Sequence, residues 1–308
     1  MLNKSLLSAL MIVIMALALT GCTESQVSNK LAIDSWDLAV QTYTFRKFTL
    51  FESIEKAQEC GIECIEAFPN QVISKDILDQ EGKPLKLWYT LSDQVKDKIK
   101  AKLKKHNVRM TNFGVAGWVH LAYEDEEDIK VIFDFLKDMG VETFLIEPHK
   151  LEIVPVIDKY ARKYKIKVGI HNHPSRSDKY KYRSADSVLK VIDGTSKYFG
   201  AAPDVGHWVR SGLDPVEELK KLDGRIVGMH LKDVKARPGK KHKRDVPFGT
   251  GLCKINEVLH ELNRQGFTGV ITIEYESNPD NPTPEVKQCV EYYNTVKAEI
   301  KTMALTKL

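Results

Sequence analysis

Carboxylates and imidazoles recur at the downstream ends of short apolar runs along this chain. Glu66 lies near the end of run 63–68 and Glu147 closes run 142–147. His171, Asn172 and His173 end and follow run 167–171, and Asp204 lies at the end of run 198–205 with His207 just beyond. His230, with Lys232 and Asp233 after it, ends run 226–231, and Glu274 lies in run 270–275. A charged or imidazole group among apolar residues is costly unless it is paired or bound to a metal. Each has a local explanation: Glu147 before Pro148 can cap a turn, Asp204 after Pro203 can accept neighbouring backbone N–H groups, His230 can be a satisfied core histidine, and Lys232 with Asp233 can form a salt bridge. Their repetition at one end of successive runs argues for a shared cluster. Carboxylates with a histidine make a mainly oxygen site, suited to one divalent ion such as Mn²⁺, Mg²⁺ or Co²⁺, with Zn²⁺ also admissible.

Such an ion, chelated by a carbonyl oxygen and its neighbouring hydroxyl, acidifies the C–H between them and stabilises an enediolate. Two glutamates can then take a proton from one face and return one to the other, which is epimerisation, with Glu147 and Glu274 as the pair. The same enediolate can expel a β-hydroxyl or β-glycosyl group if His173, His207 or Lys232 protonates the leaving oxygen. Aldose–ketose isomerisation shares the intermediate.

These residues need a scaffold that aligns the ends of many strands. From about residue 38 the chain alternates strand-like runs (38–43, 63–68, 109–115, 142–147, 167–171, 198–205, 226–231 and 270–275) with amphipathic stretches. Leu50, Ile54 and Ala57 share a helical face ended by Gly61; Ile255, Val258, Leu259 and Leu262 share another, stopped by Gly266; a last pattern runs from Pro284 to about Ile300. Strict alternation predicts an α/β fold with an eight-stranded parallel (β/α)8 TIM barrel, whose active site forms at the C-terminal strand ends. A doubly wound open sheet would carry a Gly-rich turn after its first strand, where this chain reads Gln41-Thr42-Tyr43-Thr44-Phe45-Arg46. Two long connections, 71–90 and 235–252, follow strands and are candidate binding loops. Near the mouth, Tyr43, Phe45, Phe68, Trp118 and Trp208 can stack on a sugar or pack in the core, and Arg46 and Arg210 can bind hydroxyls or pair at the surface. Gly249-Thr250-Gly251 reads first as a tight turn and second as a phosphate cradle.

The 308 residues carry a formal charge of +4 with acids and bases mixed, so nothing demands nucleic acid, and the basic stretch 235–244 reads as a solvated loop able to fold over the site. Lys4 followed by the apolar run 6–19 reads as an export signal, short for a membrane span. It ends in Leu19-Thr20-Gly21-Cys22, which resembles a bacterial lipobox. That resemblance implies cleavage after residue 21, lipidation of Cys22, a tether over 22–36 and a barrel over 37–303, held on the periplasmic side of the cell envelope by its lipid anchor alone, and most readily at the outer membrane. Cys60, Cys64, Cys253 and Cys289 match no zinc spacing, and core packing is their expected role.

Several motifs together resemble the xylose-isomerase-like sugar phosphate isomerase/epimerase family, in its lipoprotein branch. They are Gly61-Ile62-Glu63-Cys64-Ile65-Glu66, Pro203-Asp204-Val205-Gly206-His207-Trp208 with Arg210-Ser211-Gly212-Leu213-Asp214-Pro215, His230-Leu231-Lys232-Asp233, Gly249-Thr250-Gly251 and Ile273-Glu274-Tyr275-Glu276, beside the opening Gln41–Arg46 stretch. The resemblance implies a metal held by Glu147, Asp204, His230 and Glu274, with Glu147 and Glu274 as the acid/base pair and His207 on the substrate. His173, Lys232, Arg210, Glu66 and His171 join the expected substrate-binding set. The His171-Asn172-His173-Pro174 stretch is closer to the lipoprotein-type and inosose-dehydratase-like branches, which keeps a dehydratase or other lyase as the runner-up. A non-catalytic sugar-binding lipoprotein would have lost a ligand, and none of the four is lost. An apurinic endonuclease, which shares the superfamily, needs several metals and a DNA groove. The expected partner is a small carbohydrate, unphosphorylated because the barrel is exported, and the resemblance also implies a homo-oligomer.

Overall fold

All eight expected runs are parallel strands of one barrel. The computed structural model describes residues 31–116, 125–175, 177, 181–239 and 243–306. Its strands are β1 (Asp37–Gln41), β2 (Cys64–Ala67), β3 (Arg109–Ala116), β4 (Thr143–Ile146), β5 (Lys167–Ile170), β6 (Phe199–Ala201), β7 (Met229–Leu231), a hairpin of β8 (Asp233–Lys235) and β9 (Arg244–Val246), and β10 (Val270–Ile273). The hairpin aside, they pair in the order β6-β5-β4-β3-β2-β1-β10-β7. The ring closes between β6 and β7 without a regular ladder. The seam rests on isolated bridges, Ala201 to Ile226 and Asp204 to His230. Its backbone bonds are Ala201 N to Arg225 O (2.8 Å), Val227 N to Ala201 O (2.9 Å) and His230 N to Pro203 O (2.8 Å). Gly200 permits that close approach, since a Cβ there would lie 2.3 Å from Arg225 O.

Between and after the strands run α1 (Leu50–Glu59), α2 (Asp93–Lys105), α3 (Glu126–Asp138), α4 (Val154–Tyr164), α5 (Ala185–Ile192), α6 (Val205–Arg210), α7 (Pro215–Lys221), α8 (Ile255–Arg264) and α9 (Thr283–Leu305). Their faces follow the sequence pattern. In α1, Leu50, Ile54 and Ala57 are buried, and Thr49 and Glu52 form a reciprocal capping box, an arrangement whose cap alone contributes about 1 kcal/mol. The helix faces and the outward strand residues make one continuous apolar core.

Three boundaries differ from expectation. The sixth run stops at Ala201 because Asp204 caps α6 instead of continuing a strand, its Oδ1 accepting from His207 N at 2.9 Å. The connection 235–252 is not all loop, since β8 and β9 pair antiparallel at its base. The barrel also begins before residue 37: Ile33 and Trp36 are buried, and Trp36 donates from Nε1 to Phe267 O at 2.7 Å. The expected signal segment 1–21 and Cys22 lie outside the described residues, as does Trp118. Cys60, Cys64, Cys253 and Cys289 are buried and unpaired with one another, in keeping with core packing.

Candidate metal centre

The polar strand ends converge on Asp204. Asn172, just past β5, grips its backbone from both sides, accepting from Asp204 N at 2.8 Å and donating to Asp204 O at 3.1 Å. With Oδ1 committed to the α6 cap, Oδ2 faces the barrel axis. Oδ2 is buried and has no aligned hydrogen bond. Lys232 Nζ lies 3.1 Å away as an ion pair, a contact that supplies charge without hydrogen-bond geometry. His230 Nδ1 is 4.0 Å from the same oxygen and 3.1 Å from Glu274 Oε2.

His230 is oriented from behind. Its Nε2 lies 2.8 Å from Glu66 Oε1, and Glu66 also accepts from Gln41 Nε2 (2.8 Å), Thr272 Oγ1 (3.2 Å) and Asn112 Nδ2 (3.3 Å). Glu66 is wholly buried. It was expected to bind substrate; its carboxylate is instead spent on His230 and three neutral donors beneath the site. Those partners place the Nε2 proton on the Glu66 side and turn Nδ1 towards Glu274 and Asp204, the arrangement in which a carboxylate fixes the tautomer of a metal-binding imidazole.

Electrostatics follow from burial among opposed charges. Burial disfavours a charged His230, but Glu66 and Glu274 outweigh it and raise its pKa to about 10. Burial likewise opposes charge on Lys232, and Asp204, Glu274 and Glu276 overcome it, holding the ammonium well above its usual range. Burial would raise Glu274; Lys232 and His230 reverse the direction and hold it well below the carboxylate range. For His171 and His207 burial wins: with Lys232 and the other imidazoles adding repulsion, it keeps both well below the ordinary histidine value, and Glu274 offsets it only weakly at His171.

Donor atoms of His171, Asp204 and His230 lie within 4.8 Å of one another, as do those of Asp204, His207 and Glu274, and those of His171, His173 and His207. The chemistry of this set fits a divalent ion. Two buried atoms at its centre lack an aligned hydrogen bond: Asp204 Oδ2, which the Lys232 ammonium meets at 3.1 Å as an ion pair, and His171 Nδ1, whose state costs roughly 1–3 kcal/mol unless a ligand satisfies it. Glu147 is placed differently from Asp204, His230 and Glu274. It is buried at the end of β4, and its Oε1 lies 2.5 Å from His173 Nδ1.

Around this centre a cavity of about 340 Å³ opens, with Tyr43 and Phe68 on one wall and His173, His207, Arg210 and Glu276 on another. The Tyr43 and Phe68 rings are 4.9 Å apart. Phe45 and Trp208, offered as stacking residues, are instead fully buried in the core. Arg46 is bolted to Glu276 O at 2.7 Å. Arg210 Nη1 lies 3.2 Å from His207 Nδ1 and 3.4 Å from Glu276 Oε1, and its Nη2 pairs with Asp245 of β9. Lys232 does not pair with Asp233. Its Nζ takes Glu276 Oε1 at 2.6 Å and Glu274 Oε2 at 2.8 Å, while Asp233 accepts from Val234 N, Gly251 N and Cys253 N at 2.9, 2.9 and 3.0 Å. The Gly249-Thr250-Gly251 segment is therefore a turn tied to Asp233.

Gln41, Asn112, Asn172, Asp245 and Glu276 were not assigned roles from sequence. Glu276 stands two residues after Glu274 just beyond the end of β10, a spacing that could have flagged it. Asp245 sits beside a basic run that masked it, and the three amides carry no charge to attract notice.

The family model described as xylose isomerase-like TIM barrel matches residues 54–295. An L-ribulose-5-phosphate 3-epimerase, UlaE of Salmonella typhimurium, is 31% identical over 130 residues, covering 40% of this chain and 43% of the epimerase. The chain thus spans less than half the length of the curated relatives it matches. A solved structure of a Parabacteroides distasonis protein superposes with a TM-score of 0.65 at 32% identity, covering 85% of this chain and 99% of that one. The probable 3-DHS dehydratase AsbF of Bacillus anthracis shares the fold at 14% identity, with a TM-score of 0.63 over 84% of this chain and 98% of its own.

Proposed function

We propose, since this chain belongs to the xylose isomerase-like TIM barrel family, that it is a divalent-metal-dependent sugar isomerase or epimerase acting on a ketonic sugar or sugar derivative. The observation that carries this reading is the convergence of Asp204, His230 and Glu274, beside a buried His171 nitrogen that has no hydrogen-bond partner. The 31% identity to an L-ribulose-5-phosphate 3-epimerase supports the reaction class. A divalent ion held there would polarise a carbonyl and its neighbouring hydroxyl and acidify the C–H between them. Glu274, kept ionised by Lys232 and His230, is able to accept that proton. Glu147, oriented by His173, is the second proton-transfer group, and which glutamate acts as base depends on the stereochemistry of the sugar. His207 and Arg210 bind hydroxyls at the cavity wall, and Tyr43 and Phe68 offer an apolar face to the ring.

The substrate is proposed to be unphosphorylated. Gly251 N–H, which a phosphate cradle would present to the ligand, is already bonded to Asp233. A second reading, elimination of a β-hydroxyl or β-glycosyl group, is favoured by one feature. Lys232 Nζ stays cationic 3.4 Å from His207 Nε2, so a proton source stands beside the site.

Turnover of a panel of ketonic sugars in D₂O tests both. Deuterium at an inverted or isomerised carbon supports the main reading, and an unsaturated product supports the second. A folded chain that retains no Mn²⁺, Mg²⁺, Co²⁺ or Zn²⁺ and exchanges no C–H sinks both and leaves a sugar-binding role. We further propose that Cys22 is lipidated and holds the barrel on the periplasmic side of the envelope. Cys22→Ser should then move the protein from the membrane to the soluble fraction, and retention in the membrane would refute the anchor.

A further inference from the structure

The described chain enters the barrel at the end opposite the cavity. Residues 31–36 precede β1, and Trp36 is fixed there by its Nε1–H donating to Phe267 O at 2.7 Å. Phe267 lines a cleft of about 190 Å³ together with Lys167 and Lys197. Lys167 also lines a second cleft of about 320 Å³, with Lys137, Lys165, Tyr164 and Tyr198. Its Nζ donates to Thr268 O at 3.2 Å, so these lysines lie beside the point of entry.

Their charge is not spent on neighbours. Lys137, Lys165 and Lys197 are exposed and form no ion pair among the described residues. The carboxylates of this end are taken by other cations. Arg109 pairs with Asp37 at 2.8 Å and Glu142 at 3.1 Å, and Lys96 and Lys100 hold Asp138 at 2.9 and 2.5 Å. Asp193, exposed just after α5, offsets only part of the surplus. Helix dipoles account for Lys137, in the last turn of α3, and for Lys165, at the cap of α4. Lys167 opens β5 and Lys197 lies in the turn before β6, both outside any helix.

We propose that this end of the barrel docks on an anionic membrane surface and turns the cavity away from it. The inference rests on the proposed anchor at Cys22, which would put a membrane at the end where the chain enters, and not on the metal-dependent reading. Charge complementarity supplies the rest, since each lysine close to an anionic surface strengthens binding by about fivefold. The other basic stretch, 235–244, lies at the mouth, where a docked surface would cover the cavity.

Amine acylation of the full lipidated chain, read lysine by lysine by mass spectrometry, tests the orientation. On vesicles of one-third phosphatidylglycerol in phosphatidylcholine, Lys137, Lys165 and Lys197 should react at least about fivefold more slowly than on phosphatidylcholine alone. Lys47, at the mouth beside Asp280, should react at an unchanged rate. About 1 M salt, which shortens the Debye length to about 3 Å, should abolish the difference. Lys165→Glu combined with Lys197→Glu should restore the rate at Lys137. No slowing, or slowing at Lys47 and Lys243 instead, overturns the proposal, and so does protection by a DNA duplex but not by the vesicles. A chain that fails to float with phosphatidylcholine vesicles refutes the anchor alone, because the phosphatidylglycerol vesicles still read the docking face.

Discussion

Glu66 and His230 show how a buried acid can act without touching a ligand. The carboxylate lies 2.8 Å from His230 Nε2 and is itself held by Gln41, Thr272 and Asn112. Rotating or neutralising it should misdirect Nδ1 and make the imidazole a poorer donor. Glu66→Gln is therefore expected to weaken metal affinity by about 10- to 100-fold while leaving one ion per chain. Competition with a chelator of known affinity measures this, and an unchanged affinity would return Glu66 to a purely structural role. The sequence showed Glu66 to be special, because a carboxylate among Cys64, Ile65 and Ala67 needs a partner. It could not show that the partner was His230, 164 residues away along the chain. Asp204, His230 and Glu274 were legible as a cluster for the same reason, while Asn172 and Asn112 were not, since neutral amides in apolar runs carry a weaker penalty.

At the level of elements, Asp233 organises the connection that follows β7. Its two oxygens accept three backbone N–H groups, from Val234, Gly251 and Cys253, and so pin the turn before α8 against the base of the β8–β9 hairpin. The fit is tight. A Cβ on Gly251 would lie 2.2 Å from Asp233 Oδ1 and 2.7 Å from Val234 O. Gly251→Ala should therefore lower stability by about 1–3 kcal/mol, read as a lower urea midpoint with an unchanged slope. No change in midpoint would mean that the turn yields freely. The eight barrel strands were readable because each is an apolar run bounded by a helix of clear period. The hairpin was not. Its strands are short, three residues each, and β9 opens on Arg244 after a basic stretch that reads as solvated loop.

For the molecule as a whole, the alternation of runs was enough to identify a barrel, and the recurrence of acids at one end located its mouth. What alternation could not reveal is that the ring is uneven. Seven of the junctions between neighbouring strands are parallel ladders, those of β3 with β2 and with β4 carrying a register shift, whereas β6 meets β7 through isolated bridges, one of them Asp204 to His230. Two proposed ligands thus stand on opposite banks of the weakest junction. An ion shared between them would act as a rivet. By mass action it favours the closed ring over any form in which the banks part, so loading should raise the resistance of the whole barrel to unfolding. The His230 amide, bonded to Pro203 O across the gap, reports this locally. Its hydrogen exchange should slow on loading, relative to amides of the β2–β3 ladder. Equal slowing everywhere would mean global protection with no local breathing at the junction. The proposed ion, placed on that seam, would be a structural fastener as well, and on this proposal starving the protein of metal would cost it shape as well as chemistry.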